Sequence, residues 1–373
     1  MAEPQRREDF AGLLPPIFKE GLVAYGTGEG RAGRPAALDR AALRALTSTE
    51  RDAYDEARKD WHAAFGPYRT QHARDCVDEI EEFVDSNRQP ADRVRPSVAL
   101  DGLAGTGKTT MLHRFASDYH RAQTTRHGPT TPAGNERLPV CVTTLDGAAS
   151  RLGLNKAILE FYGYPYPLKG PASDLSRYVH AAVLGCATKV IVVDDVHFLQ
   201  PTTKDGRDVS DHLKNLSTRL NVTFVFGGQE LHERALLSEG KEQNNRRGST
   251  ARRWTRIEVE PLKEPAAKPS KDDQWTQLLL AFEKDIVLAR AYPGMLYKDC
   301  RDVLWTRTQG NLATLNALLV RACRRAVTNR TERLDSEMLR SMRLDSAAQR
   351  LSELNGGTPP TPGTGSAAVA DVA

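Results

Sequence analysis

The stretch Gly102-Leu103-Ala104-Gly105-Thr106-Gly107-Lys108-Thr109 has the residue types and spacing to hold a triphosphate. It reads G-x-x-x-x-G-K-T, the Walker A pattern. Glycines allow a tight turn whose successive N–H groups point inward at phosphate oxygens. Lys108 puts a point charge on the β- and γ-phosphates, and the Thr109 hydroxyl is a hard oxygen ligand for Mg²⁺. Thr110 continues the same turn. A second group, Val190-Ile191-Val192-Val193-Asp194-Asp195, supplies the acidic partner. Four apolar residues make a buried strand, and the carboxylates emerge at its C-terminal end, where open α/β sheets bind ligands. Asp194 is expected in the Mg²⁺ shell. Asp195 is the candidate to orient or deprotonate an attacking water. Glu is usual at this second place. Asp is one methylene shorter, so slow hydrolysis is expected. Together the two groups predict ATP and Mg²⁺ as ligands.

Two further cues lie downstream. The run Val222-Thr223-Phe224-Val225-Phe226 leads into Gly227-Gly228-Gln229-Glu230. A polar side chain at that strand end can lie between the two motifs and sense the γ-phosphate. Gln229 is the candidate, with a solvent-facing turn as the alternative. The window from Lys241 to Arg256 is strongly basic. Arg253, beside Trp254, is the candidate finger reaching a neighbouring subunit's γ-phosphate, with Arg252 second. A solvated basic loop and a contact to DNA phosphates are the other readings of this run.

These residues need a parallel sheet to position them. From Val98 the chain alternates strands and helices, the mark of an α/β fold. The expected strands are Val98–Leu100, Val140–Thr143, Val190–Val193, Val222–Phe226 and Ile257–Val259. From Trp275 onward only helical periodicity is convincing, over 275–289, 299–308, 312–327 and 336–344. Residues 1–35 are rich in Gly, Pro and Arg and read as an irregular arm. Thr47-Ser48-Thr49-Glu50 is a capping box, and the helix it opens carries Tyr54, Ala57, Trp61 and Ala64 on one face. A second helix spans about Thr70–Phe83, and the prolines between Asn87 and Pro96 suggest a linker. The division expected is therefore an N-terminal arm with helices over 1–90, a nucleotide-binding core over 91–264, a helical lid over 265–350 and a disordered tail over 351–373.

Bulk properties narrow the class. The chain has 373 residues, enough for two or three domains at about 150 residues each. No apolar run approaches the ~18 residues of a membrane span, and the N-terminus lacks the apolar core of a signal peptide. Five scattered cysteines show no C-x-x-C pair and read as reduced thiols of a cytoplasmic protein. A net charge of +4 permits nucleic-acid binding without demanding it.

The layout of phosphate loop, acidic strand end, polar sensor, arginine before the fifth strand and helical lid resembles that of AAA+ ATPases. Within them the chain is similar to the TniB branch of transposition ATPases, related to TnsC and the phage Mu B protein. The cue is Asp194-Asp195-Val196-His197-Phe198-Leu199, then Leu213-Lys214-Asn215-Leu216, then Val225-Phe226-Gly227-Gly228. Thr250-Ala251-Arg252-Arg253-Trp254 resembles the family's A-S-R-F-type segment and favours Arg253 as the finger. Gly153-Leu154-Asn155-Lys156-Ala157-Ile158-Leu159 resembles its helix after the second strand. The resemblance implies a three-layer αβα core with a five-stranded parallel sheet, a helical lid and a helical N-terminal extension. It implies ATP bound between subunits, a homo-oligomeric ring or filament on double-stranded DNA, and activation of a DDE transposase in DNA recombination, with hydrolysis driving disassembly. Lys204, Arg207, Lys214 and Arg219 become candidates to face the DNA, and His197 reads as a packing or network residue beside the acidic strand. Two departures stand out: Asp195 in place of Glu, and Gly310-Asn311-Leu312-Ala313 without the arginine that many lids carry there. The competing expectations are a nucleotide-gated switch of the defence (STAND-like) or replication-loader type, and an adaptor with little hydrolysis.

Overall fold

Five strands form where the apolar runs place them. The computed structural model describes residues 7–87, 95–145, 150–165, 172–199, 203–231, 254–266, 270, 273–346 and 349–350. Its strands are β1 (Ser97–Gly102), β2 (Val140–Thr144), β3 (Val190–Asp194), β4 (Thr223–Gly228) and β5 (Trp254–Val259). They pair in parallel in the order β2-β3-β4-β1-β5. Residues of both alternations are buried along β1 to β4, so both faces of the sheet are covered. The edge strand β5 keeps an exposed face. On β1, Ser97 and Ala99 are small and pair with Trp254 of β5 and Phe226 of β4. The two aromatic rings stack over that gap, centroids 4.1 Å apart and 8° from parallel.

Twelve α-helices are described: α1 (Lys19–Thr27), α2 (Arg40–Ala45), α3 (Ser48–Ala63), α4 (Gln71–Ser86), α5 (Lys108–His127), α6 (Arg151–Phe161), α7 (Ala172–Gly185), α8 (Lys204–Leu220), α9 (Gln274–Asp285), α10 (Arg301–Thr308), α11 (Leu312–Thr328) and α12 (Ser336–Ser341). The chain divides into two compact units, one of Met1–Arg31 and Gln71–Glu260, the other of Ala32–Thr70 and Pro261–Ala373. The expected division at residue 90 does not fall there. The N-terminal segment is shared out between the units, and α4 belongs with the sheet. Cys76, Ile80 and Val84 of α4 are buried in the sheet unit's core. Asn87 then ties α4 to the sheet, donating from Nδ2 to Pro96 O at 2.9 Å and Thr223 Oγ1 at 3.2 Å.

The arm also departs from expectation. Residues 19–27 form a helix despite Gly21 and Gly26, because Leu22 and Ala24 are buried in this unit. Tertiary packing outweighs a glycine penalty of about 1 kcal/mol per residue. Gly21 is itself required, since a Cβ there would meet Pro15 O at 2.2 Å. The predicted tail over 351–373 lies outside the described residues.

In the second unit the capping box at Thr47 forms as read: Glu50 N donates to Thr47 Oγ1 and Thr47 N to Glu50 Oε2. The buried face of α3, however, is centred on Arg58 and His62, with Ala57 exposed. Arg58 is fully buried and pairs with Glu332 at 2.7 Å and with Asp55. Glu332 Oε2 also accepts from Ala289 N at 3.0 Å. His62 Nε2 accepts from Val287 N at 3.0 Å. The apolar core of the same unit includes Trp275, Leu279, Leu304, Leu318 and Leu319.

Two outcomes follow from that seam. Glu332→Ala leaves the buried Arg58 guanidinium with Asp55 as its remaining counter-ion, and should lower the unit's unfolding free energy by up to about 3–5 kcal/mol in urea titration. Burial, then the nearby Arg58 charge, lowers the His62 pKa from 6.5 to about 4. Between those values the unfolded chain binds the proton and the folded one does not, so stability falls as pH drops through 6.5 and levels off below 4. At pH 5 the loss is about 2 kcal/mol. His62→Gln keeps an acceptor for Val287 N and should be less sensitive than wild type to a shift from pH 7 to pH 5 by about that amount.

Candidate nucleotide site

The phosphate loop joins β1 to α5. Gly102 ends β1 where a Cβ would meet Val259 O at 2.2 Å, so only glycine lets β5 approach. Gly105 and Gly107 have φ of +77° and +95°, left-handed values that turn the chain into α5. Thr106 Oγ1 closes the loop on Leu103 O at 2.9 Å. Lys108 Nζ donates to Gly102 O at 2.8 Å and to Leu103 O at 2.7 Å, which curls it over the loop. Burial lowers its pKa, opposed by Asp194, Asp101 and Asp195.

Thr109 Oγ1 donates to Asp194 Oδ2 at 2.5 Å. This bond brings together the two motifs that the sequence placed 85 residues apart. Asp194 is 5% exposed, and its other oxygen accepts from Asp195 N at 2.9 Å. A hydroxyl and a carboxylate in contact, next to a loop turned by two left-handed glycines, form a donor set that fits Mg²⁺ with a triphosphate. Leu103, Ala104, Thr109 and Thr110 stay exposed at the loop surface.

Asp195 leaves β3 in the left-handed region, φ 57° and ψ 31°. Its Oδ2 accepts from Thr144 Oγ1 at 3.3 Å, and His197 Nδ1 lies 3.8 Å from Oδ1. Burial and then the Asp194 charge raise its pKa. His197, expected as a packing or network residue beside this strand, thus lies next to Asp195. Gln229 is half-buried immediately beyond β4, the strand lying between β1 and β3. Arg252 and Arg253 lie outside the described residues, as do the side chains of Lys204 and Arg207. Lys214 pairs with Asp211 at 3.2 Å, and Arg219 is exposed in the last turn of α8. In the second unit, Gly310 has φ +73° and no room for a Cβ, which would meet Leu262 O at 2.8 Å. Side-chain-free Gly310 and the N-cap Asn311 thus fill the place where an arginine was noted missing.

Two residues were not picked out from the sequence. Asp101, 1% exposed, precedes the loop and accepts from Arg256 Nε at 2.8 Å and Leu231 N at 2.9 Å. A carboxylate ending the apolar run Val98-Ala99-Leu100 was its signal, because a buried charge needs partners. The other is Gly227, read in the sequence only as part of a glycine-led turn and not as a site residue. A Cβ there would meet Leu112 Cδ1 at 2.5 Å and Asp194 Oδ1 at 2.6 Å.

The sheet order, the phosphate loop and the acid-ended β3 define an AAA+ P-loop fold. Solved structures agree. The Aeropyrum pernix ORC2 protein, determined as ADPNP-ADP complexes, is similar with a TM-score of 0.55 and 11% identity, over 79% of this chain and 71% of that one. Drosophila ORC bound to DNA gives 0.51 and 14%, over 85% and 72%. The Aeropyrum pernix ORC1 protein in complex with DNA gives 0.50 and 19%, over 75% and 67%. A search of curated protein sequences returned no match. The family profile described as bacterial TniB protein matches residues 64–255, and the chain belongs to the TniB family. No helix among the described residues is long and apolar enough to cross a membrane.

Gly227→Ala tests the geometry around Asp194. The added methyl should displace the Asp194 carboxylate. The Mg²⁺ dependence of nucleotide affinity, measured by calorimetry, should weaken about tenfold or more, for an overpacking cost of about 1–3 kcal/mol.

Proposed function

We propose that this chain is an ATP-dependent assembly switch that selects target DNA and activates a DDE transposase. The observation that carries the reading is the Thr109–Asp194 contact at the end of a parallel sheet, in a chain of the TniB family. The backbone N–H groups of the loop and Lys108 bind the β- and γ-phosphates, Lys108 exchanging its two loop carbonyls for phosphate oxygens. Thr109 and Asp194 would hold the Mg²⁺ ion, which when bound neutralises charge on the phosphates. Asp195 orients the attacking water, with Thr144 holding its carboxylate and the His197 ring beside it. Gln229 reads the γ-phosphate from the end of β4. Arg253 completes the site of a neighbouring subunit, so ATP favours a ring or filament. The assembly forms on double-stranded DNA through phosphate contacts, in the cytoplasm, and slow hydrolysis disassembles it. ORC proteins of the same fold have been solved with DNA or adenine nucleotides, which supports a nucleotide and DNA reading here.

Measuring hydrolysis and DNA binding together decides it. Wild type should hydrolyse ATP slowly, faster with duplex DNA, and sediment as large assemblies with ATP or a non-hydrolysable analogue. Lys108→Ala should lose nucleotide binding and assembly. Asp195→Asn should lose turnover at least tenfold yet keep ATP-dependent assembly. If neither ATP nor the analogue promotes DNA binding or assembly, the reading is wrong. ATP-promoted assembly with no turnover, in wild type and Asp195→Asn alike, would instead indicate the adaptor.

A further inference from the structure

Beyond Lys298 every cationic side chain of this sequence is arginine or none, and several gather on one face. Arg321, Arg324, Arg325 and Thr328 follow the i, i+3, i+4, i+7 spacing of a single face of α11. With Arg343 and Ser341 they line an open cleft of about 830 Å³ in the second unit. The four arginines are exposed. Among the described residues none of them has a carboxylate within ion-pair distance. Their hydrogen bonds are to Ala317 O from Arg321 Nε and to Ser341 Oγ from Arg325 Nη1. The helix dipole accounts for a cation in the last turn, where Arg325 sits, but not for Arg321 or Arg343. Like charges this close repel unless an anion joins them.

We propose that this cleft grips the phosphate backbone of duplex DNA, as a contact separate from the nucleotide site. Guanidinium forks match phosphate oxygens two at a time, and serine, threonine and asparagine are the usual neutral donors to a backbone. The cleft offers no aromatic ring for base stacking and no exposed apolar anchor for a peptide. It therefore holds DNA without reading sequence. Residues 321–328 span about 10 Å of helix, the rise of about three successive phosphates on one strand. The contact adds to the proposed function and shares with it only the DNA ligand, since nothing in the cleft depends on a triphosphate.

The test follows anisotropy of short labelled duplexes of two unrelated sequences, without nucleotide, over a series of salt concentrations. The pair Arg321→Ala with Arg324→Ala removes two charges from exposed helix positions where alanine is well tolerated. The slope of log affinity against log salt should become shallower by about 1.8, equally on both sequences. Arg321→Lys with Arg324→Lys should keep the slope. An unchanged slope and affinity in the double alanine variant overturns the proposal. So does loss of binding to a poly-glutamate peptide with DNA binding intact, which would make the cleft a dock for an acidic protein. If DNA binds only as an ATP-dependent assembly that the double variant leaves intact, the cleft is refuted and the assembly switch stands. If the variant weakens DNA binding that no nucleotide alters, the cleft stands and the switch falls.

Discussion

The hydrogen bond from Thr109 to Asp194 is the contact around which the sheet unit is arranged. It joins the first turn of α5 to the end of β3, which are not neighbours in the sheet. β4 runs between β1 and β3, so its end must stay out of the way. Gly227 does this by having no side chain, leaving its space to Leu112 and Asp194. On the other side of β1, Gly102 admits Val259 O for the same reason. One layer below, Asp101 ties β1 to Arg256 of β5 and to the backbone that leaves β4. A hydrogen bond to a charged group contributes about 1.5–3 kcal/mol. The glycines and the buried carboxylate each serve that one geometry, because a single added methyl would push Asp194 away from the hydroxyl.

The strands were legible because they are short apolar runs in a chain otherwise rich in charge. Both motifs at the sheet's ends were legible for the same reason: their chemistry sits where hydrophobic patterning stops. α1 was not legible, since two glycines lower its helix propensity and only packing restores it. Nor could sequence order say which core each N-terminal helix joins. α3 and α4 are separated by only a few residues, yet α3 shares a core with residues near 287 and 332 and α4 shares one with the sheet. Periodicity finds a helix and its stripe, but it carries no information about the partner. Where the stripe itself is polar, as at Arg58 and His62, periodicity points to the wrong face. Tyr54, Ala57 and Trp61 look like a core face, and the actual one turns on a charge whose counter-ion lies 274 residues away.

That buried pair gives the second unit a different logic from the first. A buried ion pair adds little net stability relative to an apolar pair of similar volume, and its removal by halves is costly. Glu332 meets this cost by serving Arg58, Arg51 and Ala289 N at once. Its own backbone is in the left-handed region, φ 57°, at the bend between α11 and α12. An alternative packing of α3 would have to leave either a guanidinium or a carboxylate buried alone. The pair thus fixes where the segment 32–70 docks within its unit, which apolar contacts alone would specify less sharply.

Asp195 carries the same tension between backbone and chemistry. Its φ of 57° lies in a region that costs most residues about 1 kcal/mol or more, and that Asp and Asn adopt more readily than Glu. The chain must turn there, because Val196 is buried directly after it and Leu199 follows into the core. A shorter carboxylate suits that backbone and is braced by Thr144 on β2. The same turn sets Asp195 N against Asp194 Oδ1, which holds the carboxylate that Thr109 needs. The geometry at 195 thus secures the Asp194 carboxylate through the backbone of the next residue, and under the proposed function the short Asp195 side chain would make for a long-lived triphosphate state.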